Sequence, residues 1–263
     1  MKRVVLNAMK IKSEKDIKIM REGGRRHSVI MDKIARLVSP GVRSSYLNDM
    51  ALKLIEEGGD KPAFLNYKPY GASRPYPASL CVSVNDEIVH GIPNEKDKVL
   101  KEGDIVGLDC GLIHKGMVTD MAVTVPVGKI SREALLLIQA AKYALTRGIS
   151  AAKAGNTVGD IGFEIMSYIK PYGYGIVKEL AGHGVGYKVH EDPYVPNYGK
   201  KGEGPELLPG AVIAIEPMLN LGTARIKLDP DGYTYRTADG KISAHFEHTV
   251  LISKEGPEIL TQH

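Results

Sequence analysis

Apolar and polar positions alternate along this chain with two different periods. Ser13-Glu14-Lys15-Asp16 has the spacing of a capping box, and apolar residues follow at Ile17, Met20, Val29, Ile30, Ile34 and Leu37. That spacing predicts a helix, stopped by Pro40-Gly41. A second helix is expected from Leu47 to Glu57, ending at Gly58-Gly59. The stretch "NYKPYGASRPYPASL" is too rich in Pro, Gly and Tyr for either period and reads as an ordered loop over a pocket. Strand-like runs follow, "LCVSV", "DIVGLDCGLI" and "MVTDMAVTVPV", the last two joined through "HKG" as a hairpin. The order then repeats. Ser131 to Lys153 is helical in pattern, and Thr157-Val158-Gly159-Asp160 is a second capping box opening a helix to about Lys170. Strands are expected in "GIVKEL", "AVIAIEPML", "YTYRTA" and "ISAHFEHTVLI", with a turn at Ala238-Asp239-Gly240. Two successions of helix, helix and strands predict a duplicated α+β unit. It would form a single domain over residues 1–263, with halves of about 11–128 and 131–260 and a site between them.

Composition changes this picture little. Apolar residues make up 43% and charged residues 25% of the chain, as in ordinary globular proteins, and the net charge is +4. The first 36 residues hold eleven Lys/Arg against four Asp/Glu, which reads as a solvated helix face rather than a nucleic-acid site. The two cysteines, Cys81 and Cys110, cannot build a disulfide framework and read as reduced, buried thiols. The opening "MKRVVLNAMK" lacks the apolar core of a signal peptide, and no apolar run approaches the ~18 residues of a membrane span, so a cytoplasmic protein is expected.

The chemistry lies in acids placed on strands. Asp109 sits in "VGLDCGL", Asp120 in "MVTDMAV", Glu216 in "VIAIEPM" and Glu247 in "AHFEHTV". A buried carboxylate without a partner costs several kcal/mol, so each must be paired, protonated or bound to a cation. Any one of them is most simply a hydrogen-bonded core acid. Four together, with His183 in the glycine-rich stretch "AGHGVGYKVHEDP", point to metal. A period of two puts Asp109 on one face with Gly107 and Gly111, which would leave room beside the carboxylate, and Glu247 on one face with His245 and Thr249. One imidazole and four carboxylates form a hard donor set, better suited to two divalent ions (Mn, Fe, Co or Zn) than to one structural zinc.

These residues resemble a known family. "GLDCG" with "TDMAV" eleven residues on, then "AGHGVGYKVHEDP", "IEPM" and "FEHT" in this order, are similar to the type I methionine aminopeptidases of bacterial type, in the short form without an N-terminal extension. "SVNDEIVHGIP" and "DIKIMREGGR" extend the likeness over about Ile11 to Leu260. The resemblance implies the α+β "pita-bread" fold, with pseudo-twofold halves, a central antiparallel sheet and outer helices. It implies an enzyme that removes N-terminal methionine from nascent proteins and peptides when the second residue is small. Asp109 would bind one metal, His183 and Glu216 the other, and Asp120 and Glu247 would bridge the two. Glu216 would move a proton as general acid/base, His190 would stabilise charge growing on the substrate carbonyl, and His90 would contact the scissile amide. The glycines around His183 would let peptide and metals come close. His27, His114, His248 and His263 receive no role.

The methionine pocket departs from the family's commonest pattern. Tyr76 and Cys81 match it, whereas a usual aromatic falls near Ser73 and a frequent indole is replaced by Tyr233; Tyr70 is expected to fill part of the missing volume. Met218 matches a residue that limits the second substrate position, with His245 in place of its usual Gln partner. A monovalent cation near Asn85 and Ser243, a monomeric state and transient contact with the ribosome surface complete what the likeness implies. The same ligands also serve proline-specific relatives. Those usually carry a large N-terminal domain, whereas the pattern here starts near residue 11. The helical insert of the type II enzymes has no counterpart between His190 and Glu216. A non-catalytic descendant would have lost ligand positions, and a structural cation site would leave His90 and His190 unexplained.

Overall fold

The computed structural model describes residues 9–262, so part of the basic opening and His263 lie outside the described residues. The elements run α1 (Glu14–Leu37), α2 (Ser44–Glu57), β1 (Lys61–Pro62), β2 (Cys81–Val84), β3 (Glu87–Val89), β4 (Ile105–His114) and β5 (Met117–Pro126). There follow α3 (Arg132–Ala151), α4 (Val158–Ile169), a 3-10 turn at Lys170–Tyr172, β6 (Gly175–Ile176), β7 (Gly182–Gly184), β8 (Glu191–Val195) and β9 (Val212–Ile215). The chain continues with β10 (Met218–Asn220), β11 (Ile226–Leu228), β12 (Tyr235–Thr237), β13 (Ser243–His245), β14 (Glu247–Ile252) and β15 (Pro257–Ile259).

Both capping signals do what their chemistry requires. Ser13 accepts a hydrogen bond from the Asp16 N–H, and Thr157 and Asp160 form a reciprocal box at the start of α4. The second helix begins three residues before the expected Leu47. Its cap comes from far away in sequence: Asp97 accepts the Ser45 N–H at 3.1 Å, and the Ser44 hydroxyl accepts the Lys98 N–H at 2.9 Å. Local pattern could not reveal a cap supplied by a distant loop.

Among the described residues, nine strands form one sheet in the order β1-β4-β5-β14-β9-β7-β8, with β2 added on β4 and β15 on β14. All its pairings are antiparallel. Two expected strands are interrupted. "AVIAIEPML" breaks between β9 and β10 at Glu216-Pro217, because proline has no N–H for a ladder. "ISAHFEHTVLI" breaks at Phe246, where β13 leaves for a small sheet with β10 and β6. "GIVKEL" contributes only the two residues of β6.

The alternation of side chains gives the large sheet two unlike faces. Leu108, Cys110, Leu112 and Met121 pack with Ile30, Ile34, Leu47 and Ile55 of α1 and α2. Ile213, Ile215, Val250 and Ile252 pack with Leu137, Ala141, Ile161 and Ile165 of α3 and α4. All four helices therefore cover one face. The other face carries the acids and is overhung by the loop after β1 and by the small sheets.

Candidate active site

Strand register brings the acids together. Asp109 on β4 lies opposite Ala122 on β5, and Glu247 on β14 lies opposite the same Ala122. Directly paired residues share a face, so the two carboxylates flank the Ala122 methyl, with Asp120 two residues along on the same side. Asp120 is tied at its backbone by Thr249, whose hydroxyl accepts the Asp120 N–H and donates to its carbonyl, both at 2.8 Å. Glu216 follows β9 directly, where alternation from Ala214, paired with Thr249, keeps it on the acid face.

His183 completes the group from β7. Its Nδ1 lies 2.9 Å from the Gly184 carbonyl, which fixes that nitrogen as the donor and leaves Nε2 with a bare lone pair. Nε2 lies 3.6 Å from Glu216 Oε1 and 3.9 Å from Asp120 Oδ2. These separations are too long for hydrogen bonds. They suit donors of one ion, since ligand distances of about 2.0–2.2 Å put two donors up to about 4 Å apart. Donor atoms of Asp120, His183 and Glu247 all fall within 4.8 Å of one another.

The electrostatics point the same way. Burial pushes Asp109 up to about 7. Burial, then the neighbouring carboxylates, hold Asp120, Glu216 and Glu247 well above the usual range. Burial also pulls His183 down to about 3 and His90 to about 4, and lowers His190, so the imidazoles are neutral. Among the described residues no Lys or Arg pairs with any of the four acids. Asp109 Oδ1 and Glu247 Oε1 are buried without a hydrogen-bond partner. Neutral imidazole, several carboxylates and orphaned oxygens fit divalent cations.

The cavity beside the acids is walled by Phe64, Tyr67, Pro69, Tyr76, Cys81, His90, His190 and Tyr233. Tyr76 and Tyr233 meet edge to face with centroids 5.1 Å apart, and the Tyr76 hydroxyl donates to the Gly91 carbonyl at 3.0 Å. Cys81 lies opposite Asp109 in register and so faces the same space. His90 holds a left-handed backbone with φ of 59°, a strained conformation outside glycine that turns its ring into the cavity wall. His190 stacks edge-on to His183 at 4.5 Å between centroids, and its Nδ1 lies 2.9 Å from the Tyr67 hydroxyl.

Three expectations are corrected, and the remaining candidates take definite places. Tyr70 does not fill the pocket: it is fully exposed, and Phe64 and Tyr67 supply the aromatic wall instead. Ser73 lies in the same loop outside the wall. The room expected beside Asp109 at Gly111 is occupied by Ala63 and the Phe64 ring. The glycines around His183 do not make way for a ligand. A Cβ on Gly182 would run into the Ala214 carbonyl, and one on Gly184 into the Asp192 carbonyl, so they let neighbouring backbone approach. Met218 and His245 face each other across β10 and β13, buried and outside the cavity wall, with His245 Nε2 3.6 Å from Glu216 Oε2. Asn85 and Ser243 are joined directly, the Ser243 N–H donating to the Asn85 carbonyl at 2.8 Å.

Sequence reasoning missed Phe64, Tyr67 and Thr249. A signal existed for the first: in a chain with three Phe and no Trp, a Phe at the mouth of a Pro/Gly/Tyr-rich loop has a specific place to fill.

The model of metallopeptidase family M24 matches residues 18–254. The chain is 46% identical over 259 residues to a methionine aminopeptidase of Aquifex aeolicus, covering 97% of this chain and 99% of the relative. It matches a crystal structure of methionine aminopeptidase from Rickettsia prowazekii with a TM-score of 0.92 and 38% identity, over 97% of this chain and 100% of that one. An Xaa-Pro dipeptidase from Bacillus anthracis matches with a TM-score of 0.75 and 23% identity, over 96% of this chain and 62% of that one, a likeness of fold alone.

Proposed function

The chain belongs to metallopeptidase family M24, and from that membership and the cavity we propose a metal-dependent aminopeptidase that removes N-terminal methionine when the second residue is small. The fold is the α+β pita-bread fold of that family. The single observation that carries the reading is the buried carboxylate cluster without a basic partner, set against an apolar pocket of side-chain size.

In this reading Asp109, Asp120, His183, Glu216 and Glu247 would hold the divalent ions. When bound, the ions supply Lewis acidity toward the scissile carbonyl and lower the pKa of the attacking water. The protein's own groups do the rest. Phe64, Tyr76, Cys81 and Tyr233 enclose the methionine side chain and exclude water from it. Glu216 carries a proton from the attacking water to the leaving amine. Neutral His190 donates a hydrogen bond to the carbonyl oxygen as charge grows there, with Tyr67 fixing its ring. His90 orients the scissile amide. Met218 and His245, behind the acids, shape the second-residue limit through Glu216.

Mn, Fe, Co and Zn all suit this donor set. A monovalent cation beside Asn85 and Ser243, two pseudo-twofold halves at about 11–128 and 131–260 within one domain, and a cytoplasmic monomer meeting nascent chains at the ribosome belong to the same reading. No helix among the described residues is long and apolar enough to cross a membrane.

Hydrolysis of Met-Ala-Ser and its N-acetyl form, before and after chelation and with each metal restored, tests it. Release of methionine from the free peptide alone, lost with chelator and regained with metal, is expected. Cleavage confined to Xaa-Pro peptides run alongside would replace methionine specificity with proline specificity.

A further inference from the structure

His190 lies on the connection from β7 to β8, and that connection is fastened from behind by a charge pair outside the cavity. Lys12 Nζ, in the segment before α1, lies 2.7 Å from Glu191 Oε2, and the two side chains are 1% and 0% exposed. The other oxygen of Glu191 accepts the Lys188 N–H at 2.8 Å, closing a turn over residues 188–191 that contains His190. The Lys12 ammonium also sits 4.7 Å from the centre of the Tyr187 ring, whose hydroxyl donates to Asp16 at 2.9 Å. Gly186, with φ of 141°, makes the space: a Cβ there would collide with the Lys12 stem. The connection is thus gripped by the start of the chain on one side while the His190 ring meets His183 and Tyr67 on the other.

A buried ion pair is a poor source of stability, because removing two charges from water offsets most of their attraction. What it supplies is fixed geometry, and the residue next to Glu191 is the one whose position the carbonyl needs. We propose that Lys12 and Glu191 are positioning residues for His190: their buried pair holds the 188–191 turn so that the imidazole keeps its place between His183 and Tyr67. The kinetic consequence rests on the aminopeptidase reading, whereas the geometric one does not.

The test is a double-mutant cycle on the metal-loaded full chain. Lys12→Met is made alone and in a His190→Ala background, with Lys12→Arg as the conservative control and Glu191→Gln as a second variant that keeps an acceptor for the Lys188 N–H. Each variant is assayed for kcat and KM on Met-Ala-Ser and for thermal unfolding. Because small misplacements of a reacting group are costly, Lys12→Met should lower kcat about tenfold with KM changed less than about twofold. Lys12→Arg should return within about threefold of the parent. In the His190→Ala background Lys12→Met should change kcat by less than about twofold, since residues acting through one group are not additive. An equal fall in both backgrounds, or an unchanged rate in folded Lys12→Met, overturns the proposal. Should Lys12→Met not fold, the same cycle is read with Glu191→Gln and with the Lys12→Met/Glu191→Gln pair. Imidazole nitrogen resonances of the zinc-loaded protein give a reading independent of activity. His190 signals that shift in Lys12→Met support positioning, and unmoved signals contradict it. A parent inactive on Met-Ala-Ser would sink the functional reading while leaving these resonances to decide the geometry.

Discussion

Glu87 and Glu247 are equally hidden, 3% and 2% exposed, yet are held in opposite ways. Glu87 receives Arg236 at 2.6 Å, Lys98 at 2.5 Å and the Val84 N–H at 2.7 Å. Arg236 in turn grips Asp86 and Asp229 at 2.8 and 2.7 Å. Glu247 has one oxygen with no partner and stands among three other acids with no Lys or Arg in reach among the described residues. Burial is common to both, so burial does not distinguish a structural acid from a functional one. The presence or absence of a protein cation does. Where the chain supplies the positive charge, the acid fastens two elements together. Where it does not, charge must come from outside.

The sharpest way to break this contrast is to neutralise an acid on each side. Asp120→Asn or Glu247→Gln should lower methionine release by about 10³-fold or more, since in the proposed reading each would be a ligand of the metal site. The chelated protein should melt no lower than its parent, because an amide takes the place of one of four crowded acids that resist ionising together. A lower melting point would make these acids structural. Glu87→Gln should do the reverse. It should cost about 2–3 kcal/mol, at the low end for a broken buried pair because Arg236 and Lys98 are each about a quarter exposed, and leave kcat within about threefold. Denaturant unfolding and the Met-Ala-Ser assay read both effects.

A pH titration sharpens the same point. With Asp109 near 7 and its three neighbours higher still, the cation-free cluster retains protons at neutral pH. Folded pKa values above the unfolded ones mean that the cation-free protein loses stability as pH rises from about 4 through about 7. Metal binding must expel the retained protons, so affinity should rise about tenfold or more per pH unit between about 6 and 7. Proton release on adding Mn to weakly buffered protein measures it, and none at all would mean the carboxylates are already ionised. The smallest effect belongs to the apolar wall. Phe64→Ala removes about 40 Å² of cover at about 25 cal/mol per Å², or about 1 kcal/mol, and should raise KM about fivefold with little change in kcat. A fall in kcat instead would place Phe64 against the reacting atoms.

Sequence pattern and structure part company at definable places. The helices, their caps at Ser13 and Thr157, and the β4–β5 hairpin were legible because their signals are local. The acids were legible only as a set, since one carboxylate in an apolar strand is most simply a hydrogen-bonded core acid whereas four with His183 call for a cation. The start of α2 was not, since Asp97 caps it from another part of the chain. Nor was the part played by Ala122, whose small side chain matters only once register sets Asp109 and Glu247 on either side of it. The glycines around His183 misled for a related reason: their composition signals close approach but cannot say whether backbone or ligand approaches. Pro217 carried a local signal that the expectation of one strand over "AVIAIEPML" passed over, since a proline after Glu216 removes the N–H a continuous ladder needs.

Anomalous scattering from a crystal soaked in Mn tests most directly whether the unpartnered acids exist to hold cations. Two peaks about 3.5–4 Å apart are expected, one beside Asp109 and one beside His183 and Glu216, with Asp120 and Glu247 between them. An empty cluster at saturating Mn, or peaks confined to acids that already have basic partners such as Glu87, would contradict it.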